Sequence, residues 1–370
     1  MIRVLNISSD TNIGGAGRCI LNFLARYDRS AFQVDVALPV GSLLAPEVRK
    51  LDTRVIEVDG IGDRSLDFGA IKRLKTVIRE TNPQVVHTHG AMSGRIAGRQ
   101  CGCAVIYTRH SVFPVSKRLS RQPGKWLNGK INEHYADAII AVAEAAKENL
   151  VDSGISPDKV EVILNGVEGQ TRLPPEEVIA EKAKCGIAPD RFVAGILARM
   201  EAVKGHRYLL EAAKILKEAG KPITVIIAGT GSMEQELRAQ AAALDLDDTV
   251  IFAGFVTDVP RLLSILDLQV NASYGTEATS LSLLEGMSMG IPAVVTDYGG
   301  NPGVIEDGAN GILVPTQNSA ALAAAILETM EDKAAYDRMI GGCIRIFDEK
   351  FTADMYARNI EAVYRRVAKK

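Results

Sequence analysis

Glu277 and Glu285 stand eight residues apart in Glu277-Ala-Thr-Ser-Leu-Ser-Leu-Leu-Glu285, and upstream Arg199-Met-Glu-Ala-Val-Lys204 sets two cations five apart at the end of an apolar run. Two carboxylates can hold hydroxyls of a ribose and a hexose, and two cations can neutralise a diphosphate, the Arg as a fork and the Lys as a point charge. Together they have the chemistry of a sugar-nucleotide site. Neither pair is specific alone: with 45 acidic residues in 370, an acid eight positions after another arises by chance about five times. Taken singly, Glu285 reads as a solvated helix residue, Glu277 as a first-turn partner of a helix dipole, and Arg199 and Lys204 as surface cations.

The surroundings of these residues decide between the readings. Ser280 is placed to cap a helix through Leu281, Leu283, Leu284 and Met287 to Met289, which Gly290 stops with Pro292 two residues beyond. Glu277 then lies in the loop before that helix, Glu285 falls in its second turn, and the N–H groups around Thr279, Ser280 and Leu281 face an anion site. Arg199 and Lys204 follow an apolar strand, and Gly205 precedes the next amphipathic stretch, so strand, cation, turn, cation and helix succeed one another. Near the N-terminus, Gly14-Gly15-Ala16-Gly17 lies between a strand and a helix expected to start near Arg18, a second anion-ready turn or a plain tight one. It is not a dinucleotide fingerprint, which requires glycine where Ile20 stands.

His87 and His89 end one apolar run and His110 ends the next, at strand C-termini where α/β sheets bind ligands; His87 also reads as a satisfied core histidine. Asp245-Leu-Asp247 has a D-x-D form but lies between a helix and a strand, and reads as a polar connection. No other acid or histidine cluster has metal-ligand spacing, and neither a Gly-x-Ser-x-Gly elbow nor a P-loop occurs.

These residues are carried by two series of short apolar runs alternating with amphipathic stretches, the pattern of βαβ units with a parallel sheet covered on both faces. The first series has runs at 4–7, 34–38, 85–87, 105–108 and 138–142 and ends near 160–164; the second has 192–198, 224–228, 250–253, 268–271, 293–296 and 311–314. Helices are expected at 206–219 and 321–330, and Pro174-Pro175 suits a connection between the halves. The expected division is 1–168, 169–350, and a last amphipathic segment 351–370. A length of 370 residues supports about two domains.

Composition excludes several classes. A net charge of -2 gives no global attraction to nucleic acid, and five scattered cysteines without CxxC spacing argue against a disulfide framework or zinc site, which fits a reducing cytoplasm. No apolar run approaches the ~18 residues of a membrane span. One local excess stands out: Arg109, Lys117, Arg118, Arg121, Lys125 and Lys130 occur without an intervening acid, interleaved with Val112, Phe113, Leu119, Trp126 and Leu127. That stretch suits an anionic membrane surface or acceptor, or is a solvated basic face.

Taken together, the chain resembles the retaining glycosyltransferase family 4 (glycosyl transferases group 1) of the GT-B fold over nearly its whole length. Gly-Ile-Leu-Ala-Arg199-Met-Glu-Ala-Val-Lys204-Gly, Ile-Ala-Gly229-Thr-Gly231, Phe-Ala-Gly254-Phe255, the Glu277/Glu285 pair and Gly-Ile-Pro292-Ala-Val-Val-Thr-Asp-Tyr-Gly-Gly300-Asn-Pro occur in family order and spacing. The resemblance implies two Rossmann-like doubly wound domains facing across a cleft, acceptor-side first and nucleotide-sugar-binding second, with the last helix crossing back to the first. It implies that Arg199 and Lys204 bind the donor diphosphate, Glu285 the ribose and Glu277 the donor sugar. Backbone at Thr279, Ser280 and Leu281 would meet phosphate or sugar, and backbone around Phe255 the nucleobase. Gly229 and Gly231 would belong to the donor site, Gly15 would approach the diphosphate, His110 would contact the sugar near the reacting carbon, and Asp10 would face the acceptor. Catalysis would rest on Glu277, His110, Arg199 and Lys204, with no metal and no cofactor beyond the nucleoside-diphosphate sugar. The implied activity is hexosyl transfer, UDP-sugar favoured, to a carbohydrate or lipid-linked acceptor of the bacterial envelope or cell surface, in the cytoplasm or at the inner face of the membrane. Two other classes fit parts of the pattern: a nucleotide-binding partner subunit without activity, and a retaining glycoside hydrolase using Glu277 and Glu285. After Glu277 many relatives have Gly-Phe-Gly where this chain has Ala278-Thr279-Ser280, which leaves the donor sugar open.

Overall fold

Short aliphatic runs become parallel strands here because helices cover both sheet faces, so no polar face has to be kept. The computed structural model describes residues 1–62, 66–90, 92–113, 115–116, 119, 121–221 and 223–369. The chain divides into two units, Met1–Val167 with Phe351–Lys370, and Glu168–Lys350.

In the first unit the strands are β1 (Ile2–Ile7), β2 (Phe32–Pro39), β3 (Val55–Val58), β4 (Val85–Thr88), β5 (Ala104–Arg109), β6 (Ala138–Ala141) and β7 (Val160–Val162). They form one sheet in the order β3-β2-β1-β4-β5-β6-β7, with Val4 of β1 opposite both Val34 and Val85. Six match expected runs; β3 does not. It is a four-residue edge strand in which Glu57, turned to solvent, interrupts the apolar residues Val55, Ile56 and Val58.

The second unit has β8 (Phe192–Leu197), β9 (Ile223–Ala228), β10 (Val250–Gly254), β11 (Leu268–Asn271), β12 (Ala293–Thr296) and β13 (Gly311–Val314), in the order β10-β9-β8-β11-β12-β13. The helix His206–Glu218 lays Leu209, Leu210, Ala212, Ala213 and Leu216 against Val225 and Ile227 of the sheet. Each fully buried Leu there contributes roughly 1.5–3 kcal/mol.

Both sheets have the doubly wound order, in which strands build outward in two directions from the middle. The reversal falls between β1 and β4 in one unit and between β8 and β11 in the other. Loops leaving the C-terminal ends of such strands diverge and leave a crevice, which is where open α/β sheets bind ligands.

The final helix, Ala353–Val367, belongs to the first unit. Thr352 caps it by accepting from Met355 N at 3.3 Å, and main-chain bonds from Val167 N to Phe351 O (2.9 Å) and Ala353 N to Val167 O (3.0 Å) tie its start to the end of the first stretch. Its buried face carries Tyr356, Ile360, Val363 and Tyr364, and the Tyr364 ring meets Phe23 and Phe32 edge-on.

Candidate active site

The loops after β8 and β11, on either side of the reversal in the second sheet, bring Lys204 and Glu277 together. Lys204 ends the 3-10 turn Ala202–Lys204, and its Nζ donates to Glu277 Oε2 at 2.7 Å with both side chains largely buried. The same oxygen accepts from Ser273 Oγ at 2.9 Å and from Asn271 Nδ2 at 3.3 Å. Three donors on one oxygen saturate it and fix the carboxylate's orientation, so the other oxygen remains the one a substrate hydroxyl can approach. A carboxylate held this way by a cation is kept ionised, as a group that accepts a hydroxyl must be.

Asn271 and Ser273 are partners of Glu277 that motif reading missed. Their signal was present: two polar residues at the C-terminal end of the buried strand Leu268–Asn271 and just beyond it. Glu277 itself is buried, 5% exposed, which the dipole-partner reading did not anticipate.

Local backbone brings these groups into place. Gly205 has φ +72°, and a Cβ there would come within 2.0 Å of the Ala272 carbonyl oxygen, so the turn carrying Lys204 can lie against the strand end carrying Asn271 and Ser273 only with glycine. Gly229 and Gly231 play a similar part for the Arg199 segment: Cβ atoms there would stand 2.1 and 2.4 Å from the carbonyl oxygens of Ala198 and Met200. Arg199 is exposed, and among the described residues its guanidinium makes no hydrogen bond or ion pair. His206, buried beside Lys204, is held down to about 4 by burial first and the Lys204 charge second, against a backbone contact at Ala198. A neutral histidine therefore accompanies the cation.

The helix Leu281–Ser288 begins where expected, with Ser280 at the cap position and Gly290 in the left-handed region after it. One detail differs: the Ser280 side chain makes no capping bond to the helix. It pairs instead with Ser282 Oγ at 3.1 Å, and Ser282 Oγ in turn donates to Leu197 O at the end of β8. The Leu281 side chain is buried, so only its backbone is available to a ligand. Thr279 and Glu285 are partly exposed and engaged in interactions of their own. Phe255 is 75% exposed after the bulged end of β10.

In the first unit the glycines of Gly14-Gly15-Ala16-Gly17 do not form a turn before the helix. The helix runs Gly15–Arg26, with Gly14 at the cap and Arg18 N donating to Gly14 O at 3.0 Å. Glycine fits the first turn, where N–H groups have no helical partner anyway, which is why the start precedes the apolar periodicity. A Cβ at Gly15 would meet nothing within 4 Å, so its face is open. Asp10 is partly exposed and accepts from Asn12 N at 3.1 Å.

His87 and His89, both buried, and the half-buried His110 form a chain at the ends of β4 and β5. His87 Nδ1 and Nε2 lie 2.8 Å from Tyr364 Oη and 2.7 Å from Thr108 Oγ1, which gives His87 the satisfied structural role. His89 Nε2 faces Asn6 Oδ1 at 3.0 Å, and its Nδ1 lies 2.9 Å from His110 Nε2. A neutral imidazole carries one proton, so of His89 Nδ1 and His110 Nε2 one donates and the other accepts. Burial holds all three neutral: His87 falls to about 3 and His110 to about 4, and His89 falls well below its usual value, with neighbouring histidines adding to the effect on His87 and His89.

Asp245 and Asp247 lie in the connection after the helix Glu234–Ala243; Asp245 pairs with Lys217 at 3.3 Å. Of the basic stretch, Lys117 and Arg118 lie outside the described residues.

Residues 178–342 match the family described as Glycosyl transferases group 1, and residues 13–170 match Glycosyltransferase Family 4. The Bacillus subtilis (strain 168) protein named "Putative glycosyltransferase EpsD" is 31% identical over 290 residues, 74% of this chain and 74% of its own. The Escherichia coli UDP-Gal:alpha-D-GlcNAc-diphosphoundecaprenol alpha-1,3-galactosyltransferase is 27% identical over 277 residues, 72% of this chain and 71% of its own. Among solved structures, Anabaena HepE in complex with UDP matches at a TM-score of 0.85 with 21% identity, covering 98% of this chain and 99% of that one; at that identity the likeness concerns the fold.

Proposed function

The chain belongs to glycosyltransferase family 4 and is a GT-B glycosyltransferase of polysaccharide or glycolipid synthesis, and from that premise we propose that it transfers a sugar from a UDP-sugar to a lipid-linked saccharide, with retention and without a metal. The observation that carries this reading is the buried Lys204–Glu277 pair at the reversal of the second sheet. A cation and a carboxylate in contact offer neighbouring positions for a phosphate oxygen and a sugar hydroxyl, the two parts of a nucleotide sugar that flank the breaking bond.

On this reading Arg199 and Lys204 take the diphosphate, Glu277 accepts a donor-sugar hydroxyl through its unsaturated oxygen, and Glu285 holds the ribose. Backbone at Thr279, Ser280 and Leu281 meets phosphate at a helix N-terminus, and backbone around Phe255 meets the base. As the glycosidic bond stretches, negative charge grows on the leaving diphosphate, where the two cations stabilise it. The family's same-face chemistry has that phosphate take the acceptor proton, giving retention. In the first unit, Gly15 and His110 are the residues to which the resemblance assigns substrate contacts. Among the described residues no group of three or more His, Cys, Asp or Glu is placed to hold a metal ion. The UDP assignment is supported by the UDP-Gal donor of the E. coli relative and the UDP bound to HepE, and the lipid-linked acceptor by that relative's diphosphoundecaprenol substrate.

The test is a thermal-shift panel of UDP, GDP, ADP and their sugars. A ligand at 100 times its Kd adds about 2.7 kcal/mol, roughly 5–10 °C for a unit of this size. UDP and a UDP-sugar should produce that shift. A response to GDP or ADP alone would overturn the UDP assignment, and no response to any nucleotide would overturn the donor site.

A further inference from the structure

The helix Gly124–His134 of the first unit is built inside out. Trp126, Leu127, Lys130, Ile131 and His134 recur at one-turn spacing along one exposed face, with Trp126, Leu127 and Ile131 at 59%, 52% and 40% exposure. Its buried face is small and polar. A Cβ on Gly129 would come within 1.9 Å of the Gly154 carbonyl oxygen, and Asn132 accepts from the buried Arg95 at 2.7 Å while donating to Asn128 O at 2.8 Å. A helix on a water-facing surface places its apolar stripe inward; this one turns it outward, where an apolar medium would bury it.

The charges beside the stripe indicate which medium. Lys130 lies within it, Lys125 precedes Trp126, and Arg121 stands just before the helix. No Asp or Glu occurs from 110 through 132 in a chain whose net charge is -2. Glu133, the next acid, is turned back toward the body: it accepts from Ser156 N at 2.8 Å and pairs with Lys130 at 3.4 Å. Tryptophan and aliphatic side chains bordered by lysine and arginine are the composition of a helix lying in a bilayer interface. The area argues the same way: three half-exposed side chains of about 150–250 Å² amount to roughly 300 Å², far below the ~800 Å² each partner of a stable dimer buries. Among the described residues no helix is long and apolar enough to cross a membrane.

We propose that this face of the Gly124–His134 helix docks on an anionic lipid bilayer, with Trp126, Leu127 and Ile131 in the headgroup region and Arg121, Lys125 and Lys130 on lipid phosphates. The proposal deepens the lipid-linked acceptor reading and rests on it only for its purpose; the surface itself is argued from the helix.

Trp126 is the chain's one tryptophan, so its emission reports the contact directly. Vesicles of phosphatidylcholine with phosphatidylglycerol at low salt should shift that emission to the blue and sediment with the protein; phosphatidylcholine alone should bind much less. The double variant Leu127→Glu/Ile131→Glu, which keeps the reporter and alters only exposed positions, should lose at least tenfold in partitioning with an unchanged melting temperature. Lys125→Gln/Lys130→Gln should lose roughly fivefold per cation toward anionic vesicles and nothing toward neutral ones. Unchanged Trp126 emission with anionic vesicles would overturn the proposal. So would vesicle binding that the glutamate variant retains, or a vesicle-free dimer that this variant dissociates. Nucleotide stabilisation measured on the same protein separates the two readings: vesicle binding without it leaves the docking face standing and removes the donor site, whereas nucleotide binding without vesicle binding does the reverse.

Discussion

Replacing Lys204 by Ala should damage stability and diphosphate binding separately, and the two sizes can be worked from the Glu277 surroundings. Breaking a buried ion pair from one side costs about 3–5 kcal/mol, because the remaining charge is stranded. Here Glu277 keeps Ser273 and Asn271 as donors, each worth about 1 kcal/mol, which brings the expected loss to about 1–3 kcal/mol. Glu277→Gln should cost less, about 1–2 kcal/mol, since the Lys204 side chain is 16% exposed against 6% for Glu277 and can turn toward water. The double variant should then fall short of the sum by at least about 1.5 kcal/mol, the signature of a direct pair. Urea denaturation of the four proteins measures this. In parallel, Lys204→Ala should weaken UDP binding by calorimetry about 10- to 100-fold, the loss of one charge-assisted bond to phosphate worth roughly 1.5–3 kcal/mol. Glu277→Gln should leave UDP within about threefold, because the carboxylate is assigned to the sugar and not to the phosphates. Additive stabilities within about 0.5 kcal/mol would refute the pair as an energetic unit, and unchanged UDP affinity in Lys204→Ala would refute its diphosphate role.

The histidine chain predicts an acid-sensitive first unit: its histidines are depressed when folded, near 3 for His87 and near 4 for His110, and return to about 6.5 when unfolded. Above 6.5 both states are neutral and nothing is lost; as pH falls from 6.5 toward 4 the unfolded chain binds protons that the folded one refuses, so stability drops. Between pH 7 and 5 each should remove up to about 2 kcal/mol. His110→Gln should flatten that slope in urea titrations, and a stability unchanged from pH 7 to 5 would contradict the burial account. Gly205→Ala and Gly220→Ala form a matched comparison at the two ends of one helix. Both have φ near +70°, but a Cβ at Gly205 meets Ala272 O at 2.0 Å and one at Gly220 meets nothing within 4 Å. The second should cost only about 1–2 kcal/mol of left-handed strain; the first should cost more and also weaken UDP binding, and equal costs would refute the close approach as the reason for glycine.

Much of the fold was legible because a strand or helix writes its period locally. Runs such as 293–296 and 311–314 coincide with β12 and β13, since a strand buried on both faces needs an unbroken apolar run. The short edge strand β3, with Glu57 turned outward, carries no such run and went unread. The helix start at Gly15 was misplaced because its first turn is made of residues without apolar periodicity. At the candidate site, Arg199, Lys204, Glu277 and Glu285 were legible as charged residues next to recognisable element ends. Ser280's position was legible too, though its hydroxyl turned to Ser282 instead of the helix.

What the sequence alone determined, then, is the alternation of strand and helix, the presence of two such series, and the charged residues at their ends, because each depends on neighbours within a few positions. Only the tertiary structure decided which of those residues meet. Lys204 reaches Glu277 across 73 positions because the order of the second sheet puts β8 beside β11. The same placement recruits Asn271 and Ser273 to one carboxylate oxygen. Tyr364 reaches His87 across 277 positions because the last helix packs on the first unit. The outward face of the Gly124–His134 helix was likewise undetermined by its residues, whose apolar and polar stripes are both helical in spacing. The Gly129 and Asn132 contacts with Gly154 and Arg95 chose the inward side, and left Trp126, Leu127 and Ile131 outside.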